Sequence, residues 1–341
     1  MQQFKLLWLC LDMHGCPNRC MHCWLGHGRN GKMSEDDLRF MAEAFRPFAQ
    51  ALKVDSWYRE PDYSDNYRQL WALENTLSTK QAKTHYELMS VWRAARDPDY
   101  VPWLASLGLK ICQLTLFGGE ALTDKYTGRC GAYQDILRSI ELLLANGIAP
   151  RLQAFVNQET IDEMPHIDEL ISFYGIKHAF AHQGSCVTAL YDIWPMLETI
   201  KCMPPLLTKL SLKHWNANSL QDIFGEPEAV LYEKLAQSED TKSFVTKEPV
   251  FFIDRNWDVY PNISAPVPFW CLGNLKRDGA EVVLENYRNE TSPAQFVRRN
   301  VPLGEMVRTC GDPAGQGLFS QGDYEEYILD RYCERETEHH A

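Results

Sequence analysis

From residue 110 onward the chain alternates short apolar runs with stretches of helical spacing, and this alternation constrains its fold more than any other feature. Residues 110–117 (Lys-Ile-Cys-Gln-Leu-Thr-Leu-Phe) read as a strand running straight into Gly118-Gly119-Glu120. A helix over 132–145 is expected to end at Asn146-Gly147, which suits a helix C-terminus. Residues 151–156 then read as a strand, 162–174 as a helix stopped by Gly175, and 176–181 as another strand. Such repeats predict parallel strands joined by crossover helices.

The N-terminal part carries the same signal once. Residues 5–11 form a short apolar run bounded by Asp12, His14 and Gly15, the pattern of a buried strand that opens into a loop. Ser34 stands as a helix N-cap before Glu35, Asp36 and Asp37, and Leu38, Met41, Ala42 and Phe45 recur at helical spacing until Pro47. Residues 51–105 are rich in Trp and Tyr, and 68–96 read as helical. Two roles fit this segment: a subdomain that packs aromatic rings for stability, or a lid over a ligand site. Beyond Gly184 the pattern weakens. Helices are expected near 190–202 and 227–237, broken by Pro204-Pro205, and a hairpin from 250–253 and 257–260 across Asp254-Arg255-Asn256. His178 and His182 read as satisfied core histidines.

Composition narrows the function. A net charge of −12 over 341 residues argues against a protein built to hold nucleic acid. No apolar run reaches the roughly 20 residues that span a bilayer, and Asp12 interrupts the only N-terminal candidate for an export signal. A cytoplasmic, reducing location is therefore expected. There, the eleven cysteines are ligands or small buried hydrophobes more readily than disulfides.

Three of those cysteines share one loop, Cys16-Pro-Asn-Arg-Cys20-Met-His-Cys23. Three thiolates from a tight loop can occupy three corners of a cubane iron–sulfur cluster and leave the fourth iron open. The same thiols could instead bind zinc, with His14 or His22 as fourth ligand.

The C-x3-C-x2-C loop after a first strand resembles the cluster loop of the radical S-adenosylmethionine (AdoMet) superfamily, with His22 where that family usually has an aromatic residue. Gly118-Gly119-Glu120 resembles its Gly-Gly-Glu motif, and Asn157 its Thr-Asn-Gly element, with Gln158 in place of the glycine. The resemblance covers about the first 180 residues. It implies an enzyme with a [4Fe-4S] cluster on Cys16, Cys20 and Cys23, and with AdoMet held by His22, Gly118, Gly119, Glu120 and Asn157. Reductive cleavage of AdoMet would give a 5′-deoxyadenosyl radical that takes hydrogen from a substrate. An external one-electron reductant such as flavodoxin or ferredoxin is implied as partner. The expected fold is α/β: a partial (β/α)6-type parallel barrel over 1–240, with a helical aromatic-rich insertion at 51–105 and a small α+β C-terminal extension over 241–341.

Residues 254–279 resemble the SPASM and Twitch extensions of that superfamily, although Asn262 stands where a cysteine would be expected. Cys271, Cys310 and Cys333 are few and dispersed, with Cys186 and Cys202 as further candidates, so a cluster-free extension is expected. Cys310 is a candidate hydrogen-atom donor, weighed against a small buried residue. Because the cysteine loop begins at Cys16, no leader-binding domain is expected at that end. This favours a small organic substrate (oxidised, rearranged or epimerised, as in specialised metabolism) over a ribosomal peptide. No membrane and no nucleic-acid partner are expected.

Overall fold

The computed structural model describes residues 3–23, 25, 30–56, 59–79, 84–184, 190–261 and 266–339. Its strands are β1 (Leu7–Leu11), β2 (Leu52–Asp55), β3 (Ile111–Leu116), β4 (Ala149–Phe155), β5 (His178–His182), β6 (Glu226–Pro227), β7 (Val250–Ile253), β8 (Asp258–Pro261), β9 (Gly273–Asn274) and β10 (Leu318–Phe319). Two sheets carry the architecture. One is β3-β4-β5, all parallel; the other runs β2-β1-β7-β8-β9, with β6 and β10 forming a separate two-strand pair. The molecule is α/β with parallel strands joined through helices, as the alternation implied, in the partial-barrel arrangement that the resemblance implied.

The sheet β3-β4-β5 follows from its residues. In β3, buried Cys112, Leu114 and Leu116 alternate with half-buried Ile111, Gln113 and Thr115. The buried set faces a core shared with Leu152, Ala154, Ala179 and Ala181 from the neighbouring strands. Helix Ala132–Ala145 closes that core with Tyr133, Ile136, Ile140 and Leu143, spaced three and four apart so that they share one helix face. The opposite face is polar: Gln113 Nε2 donates to Gln153 Oε1 at 2.9 Å, Thr115 Oγ1 donates to the same oxygen at 3.2 Å, and Arg151 Nη2 donates to Gln113 Oε1 at 3.0 Å. A parallel sheet is ordinarily apolar on both faces. Polar residues along one face therefore mark the wall of an interior that holds something other than side-chain core.

The second sheet corrects the reading of residues 51–105. That segment is not wholly helical: its residues Leu52–Asp55 pair in parallel with β1, Leu9 opposite Val54. The expected long helix over 68–96 is broken into helices Tyr67–Leu77 and Val91–Ala94, followed by Tyr100–Ser106. The physical reason lies at Ser78 and Thr79. Ser78 Oγ accepts the Val54 N–H at 3.1 Å, and the Thr79 N–H donates to the Leu52 carbonyl at 2.9 Å. These groups complete the outer edge of β2, which competes with continuation of the helix.

The hairpin at 250–261 forms as expected, with Asp254 Oδ1 accepting the N–H groups of Asn256 and Asp258 at 2.9 and 3.0 Å. Its first strand, β7, lies parallel beside β1, with Leu9 opposite Phe251. A strand from the C-terminal third of the chain thus completes the sheet begun by the N-terminal strand. Helix Pro205–Trp215 is not expected from the sequence. It starts at the same prolines that read as a break, because proline suits the first helical turn.

Candidate functional site

β1 ends at Leu11, and the cysteine loop leaves from its carboxyl end, where parallel sheets place their ligands. Asp12 is buried; its Oδ1 accepts the Gly15 N–H at 3.0 Å, and its Oδ2 accepts Arg59 Nε–H at 3.0 Å. Gly15 adopts φ +87°, and a Cβ there would overlap the side chain of Asn30. Asn30 then brackets Cys16, accepting its N–H at 3.0 Å and donating to its carbonyl at 2.8 Å. On the far side of the loop, the Arg19 and Met21 N–H groups donate to the carbonyls of Thr127 and Tyr126, both at 2.8 Å. That close approach needs Gly128 (φ +61°), since a Cβ there would lie 2.8 Å from Arg19 Cβ.

Cys16, Cys20 and Cys23 line one cavity of about 240 Å³. Gln113, Thr115 and Phe117, from β3 and the residue just beyond it, contribute another wall, and Arg129 a charged corner. The segment 51–105 supplies Arg59, Glu60, Pro61, Leu88, Met89 and Val91. None of those six is aromatic. Among the described residues, several aromatics of this segment pack on one another, Tyr67 with Trp103 at 4.9 Å and with Tyr100 at 5.3 Å, and Tyr86 stacks on Trp8, while Trp57 and Tyr58 lie outside the described residues. The segment thus packs rings against one another and places aliphatic and charged side chains on the cavity wall.

Electrostatics set what the cavity can hold. Burial raises the Cys16 thiol well above its ordinary value, with Glu60 adding to it, and pushes the Cys20 thiol up to about 12, helped by Cys23 and Glu60. Thiols in such a place give up their protons only to a strongly cationic centre. Among the described residues, no three His, Cys, Asp or Glu side chains converge to ligate a single metal ion. A zinc site needs such convergence at about 2.3 Å per thiolate, whereas in a cubane each thiolate holds a different corner. The donor set suits the cubane. His22 is packed between the rings of Phe117 and Phe155, at 4.8 and 4.9 Å, and burial lowers its pKa to about 4, with His182 nearby lowering it further.

The other residues singled out from sequence fall elsewhere. Gly118, Gly119, Glu120 and Asn157 are not among those lining the cysteine cavity, although Phe117 is. Gly118 (φ +145°) lets Glu163 approach, since a Cβ there would sit 2.6 Å from Glu163 Cβ, and the Gly119 N–H donates to Glu163 Oε2 at 2.9 Å. Glu120 is exposed at the first position of helix Glu120–Thr127. Asn157 is buried with its side chain used inside the turn after β4: Nδ2 donates to Tyr126 Oη at 2.8 Å, and Oδ1 accepts the N–H groups of Glu159 and Thr160 at 2.9 Å.

His178 is exposed rather than core. His182 stacks on Trp215 and lines a second cavity, of about 510 Å³. Cys310 ends helix Leu303–Cys310 and packs at the margin of the C-terminal core that contains Cys333; it does not line the cysteine cavity. Cys271 donates to the Gly273 carbonyl at 3.7 Å and Cys202 is exposed, while Cys186 and Asn262 lie outside the described residues. Sequence reasoning missed Asn30, Arg59, Glu60 and Arg129; only Asn30 lies near the loop in sequence, and the other three reach it through the fold alone. Alternating polarity in 111–116 could have pointed to Gln113 and Thr115.

No protein-family profile matches the chain. No curated protein matches it either. Among solved structures, that of native anSMEcpe with bound AdoMet is similar over 97% of this chain and 98% of its own, at 14% identity and a TM-score of 0.56. The structure of native anSMEcpe with AdoMet and Kp18Cys peptide is similar over 97% and 99%, at 15% identity and a TM-score of 0.56. The chain therefore has the fold of AdoMet-bound anSMEcpe, the architecture that the resemblance of its cysteine loop to the radical AdoMet superfamily had implied.

Proposed function

We propose that this protein is a radical AdoMet enzyme, with Cys16, Cys20 and Cys23 holding a [4Fe-4S] cluster and AdoMet seated against it. The observation that carries the reading is the gathering of those three thiols on one cavity at the carboxyl end of β1, in a chain with the fold of an AdoMet-bound structure. When bound, the cluster supplies the electron that cleaves the carbon–sulfur bond of AdoMet. The protein's part is to position and to shield. Asn30, Gly15 and Gly128 hold the loop, Gln113 and Thr115 offer hydrogen bonds from the sheet, and residues 59–61 and 88–91 cover the cavity as a lid that keeps water from a radical.

Gly118, Gly119 and Glu120 remain the residues assigned to the AdoMet amino group. In that role Glu120 and Glu163 would flank the same backbone. An external one-electron donor of the flavodoxin or ferredoxin kind is required.

The substrate reading is a small organic molecule that loses a hydrogen atom in an oxidation, rearrangement or epimerisation. A peptide substrate is the second reading, supported by the similarity to anSMEcpe solved with a bound peptide. Anaerobic reconstitution with iron, sulfide and dithionite, followed by mass analysis for 5′-deoxyadenosine, tests the main proposal. Cys16→Ala, Cys20→Ala and Cys23→Ala should each abolish the product. A colourless, folded protein with one zinc per chain would overturn it.

A further inference from the structure

Glu60 is the unexplained group of the cysteine cavity. It lies on the cavity wall, and its Oε2 receives the Cys16 thiol at 3.8 Å. Its Oε1 is buried with no hydrogen-bond partner among the described residues. A buried carboxylate oxygen without a partner is costly, the more so when charged, and such atoms are kept where a ligand or ion satisfies them. Of the three arginines on the wall, two have hydrogen-bonded partners other than Glu60, although the charge of Arg129 and the Ser90 hydroxyl both favour the Glu60 carboxylate. Arg59 is paired with Asp12, and Arg129 donates to Asn18 Oδ1 at 2.7 Å and is paired with Asp135.

Three cysteines on a cubane leave one iron without a protein donor. Carboxylate oxygen is an ordinary ligand for iron. Glu60 thus pairs an unmet acceptor with the one corner that lacks a donor, on the same cavity.

We propose that Glu60 ligates the fourth iron of the cluster while AdoMet is absent and yields that corner when AdoMet binds. The inference rests on the cluster assignment above. It assigns Glu60 to guarding the open corner against water and against loss of iron. Binding of AdoMet then exchanges one ligand for another, with no change in the oxidation state of the cluster.

The test uses the full-length, reconstituted protein and its Glu60→Gln and Glu60→Ala variants. Without AdoMet, the reduced wild type should give an electron paramagnetic resonance spectrum distinct from both variants. Saturating AdoMet should make all three alike. Ferricyanide oxidation without AdoMet should leave four irons in the wild type, but convert the variants to the three-iron form. If Glu60 holds the corner nine-tenths of the time, its removal tightens AdoMet binding about tenfold. Glu60→Gln keeps the shape and an acceptor for neighbouring donors, so a variant that merely misfolds is recognised by low cluster content with and without AdoMet. Identical AdoMet-free spectra and equal iron retention in a cluster-loaded wild type and variants would overturn the Glu60 inference alone. A wild type that takes up no cluster would instead overturn the proposed function.

Discussion

The two larger sheets of this protein both contain parallel strands, yet they are assembled in opposite ways. Sheet β3-β4-β5 is built from consecutive strands joined by helices, each strand pairing with the next one in sequence. The other sheet places β1 between β2 and β7, so that Leu9 meets Val54 on one side and Phe251 on the other. The first sheet owes its register to local pattern and supplies a polar wall. The second is closed by a segment more than 200 residues away in sequence and presents the cysteine loop. A radical AdoMet enzyme of the kind proposed would need both, one to set the loop and one to face it.

The contrast can be broken by substitution. The largest effect is expected at the regular sheet's apolar face. Leu114→Ala removes a buried core side chain and should cost about 2–5 kcal/mol in a denaturant titration. Gln113→Leu, one residue earlier on the polar wall, should leave the midpoint nearly unchanged and act instead on AdoMet affinity. Equal destabilisation by both would mean that this face is core.

Next comes the C-terminal layer that backs the second sheet. Asp330 accepts the Trp270 Nε1–H at 3.0 Å, and burial raises its pKa to about 7, with Glu326 and Glu334 raising it further. The folded state therefore keeps a proton that the unfolded chain releases near its usual 3.8, and stability falls as pH rises between those values. Asp330→Asn should flatten that slope and raise the melting temperature above pH 7. Each tenfold difference in proton affinity between the folded and unfolded chain is worth at most about 1.4 kcal/mol. A wild-type melting temperature that climbs steadily from pH 4 to pH 7, unaltered by the substitution, would contradict this.

Gly128→Ala should cost about 1–3 kcal/mol, because the residue sits at φ +61° against Arg19. Its sharper signature is less iron bound per chain after reconstitution, since the cysteine loop is displaced. The smallest effect is expected at the outer edge of β2. Ser78→Ala removes the hydroxyl that accepts the Val54 N–H and should cost about 1 kcal/mol, read as faster hydrogen exchange at Val54 than at β4 amides.

Much of the regular sheet was legible because strand alternation and helical spacing act over a few residues. Leu114 and Ile136 announce their burial by their neighbours. The strand at 52–55 was not legible: four residues carry too little periodicity, and the donors that complete its edge, Thr79 among them, come from the end of the next helix. The cysteine loop was legible as a ligand set because thiol spacing is itself chemistry. Its supports were not, because Asn30 and Gly128 matter only through what they touch.

Sequence alone determined the class of strand connection, the three thiols in one loop and the hairpin at 250–261. Each depends on residues near one another along the chain. Tertiary structure alone decided that β7 would join β1, that Glu163 would occupy the approach to Gly118, and that Glu60 would lie beside Cys16 with one carboxylate oxygen lacking a partner among the described residues. Those outcomes arise from segments that meet only after folding, where burial, rather than local propensity, sets which polar groups find partners.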